Sequence, residues 1–343
     1  MPCAARRNWW SGRRCAWAIC WRWQGDNGQA AQDIYKKSIG ALVTKCSIIR
    51  FMFSEIRKMN KQKPPKGIEW TRIKKSVDGQ FVELPGYTWN PVGGCLHGCT
   101  WKMPDGSVTE CYAKTIAERL ASGGYKQGFA HHYWRPQALK EPLRLKTPAG
   151  IFVGSMSDLF GHWVSEDQIR QVMNVMRQAD WHTFQTLSKY PVRLPDFNPF
   201  PSNVWVGVSL PAGHLMKPEG GARALMAYLR HMMLIQADIR FMSIEPLWFD
   251  VAPVFDAWLK THDRLPFEWA IIGAASNGRK IFQPKPEWVS SLLDILDELH
   301  IPVFFKGNLK WQPRRELFPQ PGVERVHELP AAERFVFTAA LAG

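Results

Sequence analysis

"IFVGSMSDLFGHWVSEDQIRQVMNVMRQADWHTFQTLSK", residues 151–189, decides the fold. It opens on a run that is apolar on both faces and closes on another, "TFQTLS" at 183–188. Between them Ser165 is followed three residues later by Gln168, the pattern of a capping box. Ile169, Val172, Met173 and Met176 then recur at helical spacing. Strands apolar on both faces belong to parallel sheets whose faces are covered. The stretch therefore reads as one strand–helix–strand unit.

Working outward, the unit repeats. Strands are predicted at 87–90, 151–155, 183–188, 204–209, 240–245, 269–274 and 302–306, and helices over 165–179, 222–234 and 286–299. Strand and helix alternating in this way indicate a parallel α/β fold. The expectation is a (β/α) barrel, complete or partial and TIM-like, rather than a doubly wound sheet. No stretch carries the 18 apolar residues of a membrane span, so no membrane partner is expected.

In a barrel, the residues just after each strand gather at one face, where chemistry is built. Those positions hold Asn90, Ser155, Ser157, Asp158, Ser188, Lys189, Ser209, Glu245, Ser276, Asn277 and Lys306. Glu245 and Lys306 are the catalytic candidates, because each places a charge directly after an apolar run. Ser155, Ser157, Asp158, Ser209 and Asn277 are the candidates for binding a cofactor.

After the first strand comes "GGCLHGCTWKMPDGSVTECYAKTIAERL", residues 93–120, with Cys95, Cys99 and Cys111. Ala113, Ile116, Ala117 and Leu120 share a helical face, which puts Cys111 at the start of that helix, where the dipole favours a thiolate. Gly93, Gly94 and Gly98 let the backbone wrap closely around a bulky group. Eleven residues separate Cys99 from Cys111, and their "PDG" turn signal predicts a small hairpin that would leave the two thiols adjacent. Three thiolates suit a zinc ion completed by His97, His131 or His132. They equally suit an iron–sulfur cluster with one iron reserved for a non-protein ligand.

The other four cysteines, Cys3, Cys15, Cys20 and Cys46, lie in a different kind of sequence. Residues 1–66 hold 14 Lys/Arg against 3 Asp/Glu, while the remaining 277 hold 30 against 27, so most of the net +14 belongs to this segment. It carries Trp9, Trp10, Trp17, Trp21 and Trp23 among its arginines without period. Arginines interrupt any apolar region a signal peptide would need. A nucleic-acid-stacking arm is a second reading, and a start of synthesis at Met52 or Met59 is the favoured one. The organisation expected is a basic leader over 1–66, a barrel over 67–321 and an amphipathic tail over 322–343. Clustered thiols in an otherwise cysteine-free body point to a reducing compartment, the cytoplasm. Walker, nucleophile-elbow and zinc-protease motifs are lacking.

Nine segments in order, "TWNPVGGC", "HGC", "CYAKTIAERL", "IFVGSMSDLF", "HTFQTLSK", "NVWVGVS", "RFMSIEPL", "WAIIGAASNG" and "PVFFKGNL", resemble those of a phage-associated three-cysteine protein family related to radical SAM enzymes. The resemblance spans roughly residues 67–320. It implies a [4Fe-4S] cluster on Cys95, Cys99 and Cys111, with S-adenosylmethionine (SAM) on the fourth iron. Reductive cleavage of SAM would yield a radical that abstracts hydrogen from a substrate. Where radical SAM enzymes have a Gly-Gly-Glu type of strand end, this chain reads "GSMSD", so Ser157 and Asp158 become candidates for gripping the SAM amino group. An electron donor is expected, a partner protein is a further candidate, and phage association points to nucleic-acid modification. The alternative is a zinc- or cluster-stabilised module without turnover, docking nucleic acid or protein through "HHYWRP", residues 131–136.

Overall fold

The computed structural model describes residues 59–63, 67–77, 80–212, 218–278 and 280–320. The expectations for the leader up to residue 58 and for the tail fall outside them. The chain divides into two compact units between Arg57 and Lys58, and the described residues all belong to the second.

Seven parallel strands form the sheet in chain order: β1 (Gly86–Trp89), β2 (Gly150–Val153), β3 (Thr183–Ser188), β4 (Val204–Ser209), β5 (Ile239–Ile244), β6 (Trp269–Ile272) and β7 (Val303–Phe305). An eighth, Asn60–Lys61, runs antiparallel beside β1. The sheet thus takes in residues whose composition groups them with the leader. The helices of eight residues or more are α1 (Tyr112–Arg119), α2 (Glu166–Gln178), α3 (Pro218–Met233), α4 (Ala252–Leu259) and α5 (Pro286–Glu298). At α2 the Ser165 side chain accepts from the Gln168 N–H and the Gln168 side chain reaches back, closing the capping box. Between β3 and β4 the chain makes a 3-10 turn, Pro191–Phe197, because Pro195 lacks the N–H that an α-helix would use there.

Strand alternation sends successive side chains to opposite faces. Ile151, Val153, Phe184, Val206, Met242, Ile272 and Phe305 join Val172, Leu229, Phe255 and Leu292 of the helices in one large core. The intervening residues, Phe152, Trp205, Phe241, Trp269, Ile271 and Phe304, form a second core, covered by Trp70 and Ile73 from the segment before β1. Trp70 meets Phe152 at 4.7 Å between ring centroids, and Trp205 meets Trp269 at 5.6 Å. α2 to α5 pack on a single face, whereas a doubly wound sheet carries helices on both; α1 packs apart, with Tyr125 and Phe129.

The sheet does not close. Its pairing order ends at Asn60–Lys61 on one side and β7 on the other, so a complete barrel is not formed among the described residues. The reason lies at the edges. Asn60–Lys61 covers the outer edge of β1, and Arg315–Leu317 covers that of β7: Phe305 N–H donates to Arg315 O at 2.8 Å and Leu317 N–H to Val303 O at 3.1 Å. Neither edge is left to pair with the other. Among the described residues no helix is long and apolar enough to cross a membrane.

Gly207 of β4 lies beneath the Phe241 ring, where an added Cβ would stand 2.2 Å from a ring carbon. Truncating this aromatic layer leaves a cavity that the covered sheet cannot collapse into. Trp269→Ala should lower the unfolding free energy by about 3–5 kcal/mol in a denaturant titration. Val108→Ala, at an exposed position, should change it by less than about 0.5 kcal/mol.

Candidate functional site

The three cysteines follow β1 at the carboxyl edge of the sheet. Thr100–Lys102 pairs antiparallel with Val108–Glu110, Thr100 opposite Glu110, and Cys111 N–H donates to Cys99 O at 3.2 Å. The residues between the second and third cysteines are therefore a β-hairpin with Cys99 and Cys111 at its base. Its turn is closed by Gly106 N–H on Met103 O at 2.9 Å, with Gly106 at φ +81°, and by Ser107 N–H and Oγ on Asp105 Oδ1. Cys111 caps α1, its carbonyl accepting from Lys114 and Thr115.

The strand ends anchor this loop. Ser157 Oγ donates to Gly94 O at 2.7 Å, Gly94 N–H to Met156 O at 3.0 Å, and Cys95 N–H to Phe129 O at 2.9 Å. Asn90 accepts from Met156 N–H at 2.9 Å and pairs with Ser155 Oγ, while Tyr112 Oη donates to Ser155 O at 2.7 Å. Asp158, only 4% exposed, binds four partners. Its Oδ2 meets His97 Nε2 at 2.8 Å and accepts from Ser188 Oγ at 3.0 Å and Lys189 N–H at 2.8 Å; its Oδ1 accepts from Phe160 N–H at 3.0 Å. The "GSMSD" strand end thus fastens the cysteine loop instead of presenting free groups. Asp158 has its Oδ2 occupied by three protein groups.

The side chains of the remaining candidates bond elsewhere than to Asp158. By strand alternation Lys189, Ser209, Glu245 and Lys306 lie on the face of the Trp205 and Trp269 layer, at its carboxyl end. Lys189 Nζ donates to Ser209 Oγ at 2.5 Å. Glu245 and Lys306 form an ion pair, each about a quarter exposed, and a Cβ on Gly273 would press on both side chains. Asn277 Nδ2 instead donates to Ser107 Oγ at 3.2 Å, and Lys280 pairs with Asp105 at 3.3 Å. Asn277 therefore holds the tip of the cysteine hairpin to the antiparallel pair that follows β6.

Burial pushes the Cys95 thiol up to about 12; Asp158, Cys99 and Cys111 add to the rise against a backbone hydrogen bond from His97. Burial also raises Cys99, opposed by the Lys189 ammonium. The thiols are near enough to act on one another electrostatically. Among the described residues, however, no three His, Cys, Asp or Glu side chains converge on one ion. Tetrahedral zinc with sulfur at about 2.3 Å would draw its thiolates to within about 4 Å of each other. Of the histidines offered to complete a zinc site, His97 meets Asp158 and His132 meets Gln168 at 2.9 Å, each through Nε2.

"HHYWRP" is packed in part: Arg135 is buried, His132, Tyr133 and Trp134 are half-buried, and His131 and Pro136 are exposed. Tyr133–Trp134 pairs with Val92–Gly93, and the buried Arg135 guanidinium lies over the Tyr125 ring at 4.9 Å and the Tyr133 ring at 5.6 Å. Tyr133 backs the cysteine loop, packing with Ala113, Ala117, Tyr125 and Phe129 against Cys95 and Cys111. A surface cleft of about 290 Å³ lined by Arg170, Met173, Arg177 and Phe197 lies on the α2 side and contains none of the strand-end candidates. Tyr228, whose hydroxyl donates to Lys189 O at 2.8 Å, gives no sign in the sequence, where it is one residue of an amphipathic helix.

Residues 79–335 match a family described as proteins of unknown function, DUF5131. The chain belongs to this family. No curated protein sequence matches it. Among solved structures it is similar to a spore photoproduct lyase mutant with bound AdoMet and dinucleoside spore photoproduct, at 9% identity and a TM-score of 0.37 over 62% of each chain. A second is spore photoproduct lyase complexed with dinucleoside spore photoproduct, at 10% identity and a TM-score of 0.33 over 68% of this chain and 66% of that one. The chain thus spans less than two thirds of the lyase's own length.

Two outcomes arise from the site's own bonds. Asp158→Asn leaves buried donors without an acceptor and should cost about 1–3 kcal/mol in a thermal or urea titration, with amide exchange rising in residues 93–99. A thiol held at about 12 in the fold but near its ordinary value of about 8.5 when unfolded is favoured folded only while neutral. The metal-free protein should accordingly lose stability as pH climbs from about 8.5 towards 12, and Cys95→Ala should flatten that slope in the same titration.

Proposed function

We propose that this chain is a radical-SAM-type enzyme on a partial (β/α) barrel, with Cys95, Cys99 and Cys111 holding a [4Fe-4S] cluster and SAM completing it. The observation that carries the reading is the hairpin closure, which brings Cys99 and Cys111 together on the loop that also carries Cys95, at the carboxyl edge of a parallel sheet with α2 to α5 on one face. The donor set fits. A cubane takes each thiolate through a different iron, so its ligands stand farther apart than around one zinc. Gly98, at φ +62° with open space beside it, leaves room next to Cys99.

When bound, the cluster and SAM would supply one-electron chemistry that removes hydrogen from an unactivated position. The chain's own part is positional. Asp158, Ser157 and Asn90 fix the loop, and the half-buried Glu245–Lys306 pair offers a polar substrate one acceptor and one donor above the aromatic layer. Nucleic acid is the proposed substrate class, a reductant protein the proposed electron donor, and the cytoplasm the proposed compartment.

Anaerobic reconstitution of the full chain should yield brown protein with about four irons per chain, whose reduced spin-resonance signal shifts on adding SAM. Single replacement of Cys95, Cys99 or Cys111 by Ala should abolish it, whereas Cys3, Cys15, Cys20 or Cys46 should be replaceable. Colourless protein with one zinc that survives iron reconstitution and ignores SAM would defeat the proposal in favour of the binding module.

A further inference from the structure

Among the described residues Arg135 is the one buried lysine or arginine, and no carboxylate there pairs with it. An arginine stays charged in a fold and carries five N–H donors. Here its side chain makes one hydrogen bond among the described residues, Nη2 to Gly124 O at 3.3 Å, and its guanidinium lies over the Tyr125 and Tyr133 rings. A Cβ on Gly93 would stand 2.2 Å from Nη1, so the guanidinium presses on the cysteine loop two residues before Cys95. The two tyrosines belong to the cluster that packs with Cys95 and Cys111. The neighbouring charges do not neutralise it. Asp158 is filled by its own donors, Lys306 pairs with Glu245, Lys114 with Glu110 and Glu118, and the half-buried Lys189 ammonium rests on Ser209 Oγ. A buried charge without a counter-charge costs the fold stability, and aromatic faces offset only part of that cost. Free thiols are neutral near pH 7, so the cost stands in the metal-free chain. Thiolates carrying an iron–sulfur cluster would reverse its sign, because the group then placed beside the guanidinium is anionic.

We propose that Arg135 is the built-in counter-cation of the three-cysteine loop, a positioning residue that weakens the metal-free chain, strengthens the cluster-loaded one and eases reduction of the cluster. This rests on the cluster reading above. Cluster potentials respond to net charge nearby, and a fixed cation favours the state that carries the added electron. Burial between two rings and a glycine keeps the guanidinium from turning to solvent, which a surface cation would do.

The test uses the full chain in two states. Metal-free protein is unfolded in urea; protein reconstituted anaerobically without SAM is challenged with a chelator and titrated with dithionite under spin resonance. Arg135→Met, which fills the space between the rings without a charge, should leave the metal-free chain at least as stable as wild type. The same variant should hold iron about 10-fold less firmly and move the midpoint to more negative potential. Arg135→Lys should return both most of the way. An unmoved midpoint with wild-type iron retention in Arg135→Met would overturn the proposal, as would a metal-free chain that unfolds more readily or cannot fold without the guanidinium; Arg135 would then be a structural clamp on Gly93 and the two rings. Arg135→Lys no nearer to wild type than Arg135→Met would refute it too, since shape rather than charge would be at work. Wild-type protein that takes up no cluster would be a different failure, that of the reading beneath.

Discussion

The buried carboxylate of Asp158 is the constraint on which the site depends. A carboxylate taken out of water is tolerated only when donors replace its hydration, and here the donors come from three separate segments: His97 in the cysteine loop, Phe160 beyond β2, and Ser188 with Lys189 at the end of β3. Satisfying one side chain therefore fixes how the loop after β1 sits on its two neighbouring strand ends. Loop position and sheet register become a single problem. The loop cannot drift without leaving Asp158 partly unpaired.

Within that frame, sequence distance and spatial distance part company. Eleven residues between the second and third cysteines look too many for one site, yet a hairpin returns the chain to its starting point and makes its length nearly irrelevant to the geometry at its base. Its tip is held by Asn277 and Lys280, so the cysteine loop is tied at both ends of its insertion: to β2 and β3 through Asp158, and to the segment after β6 through Ser107 and Asp105. A change in the β6 segment would be felt at Cys99 and Cys111.

Much of the fold is legible because parallel strands covered on both faces are written as short apolar runs, and all seven predicted runs are strands of the sheet in the predicted order. The Ser165–Gln168 cap is readable because it is local. What is hidden is non-local. Nothing in the sequence says that Arg315–Leu317 covers the edge of β7, or that Trp70 seals the second core, since both depend on contacts far along the chain. Strand-end positions locate the polar residues of the edge but not their partners, so the four protein bonds of Asp158 cannot be read from its place in the sequence. Likewise "HHYWRP" has a composition suited to bases, but composition cannot tell a ring that faces solvent from one covered by Arg135.

The central claim is that three cysteines spread over 17 residues act as one ligand set for a cubane with one iron left to a small molecule. Mössbauer spectroscopy of protein reconstituted with ⁵⁷Fe, before and after SAM, tests it most directly. The account predicts a four-iron cluster in which one iron of about four changes its signal when SAM is added while the others do not. Iron bound singly, or a cluster whose sites all stay unchanged with SAM, would contradict it.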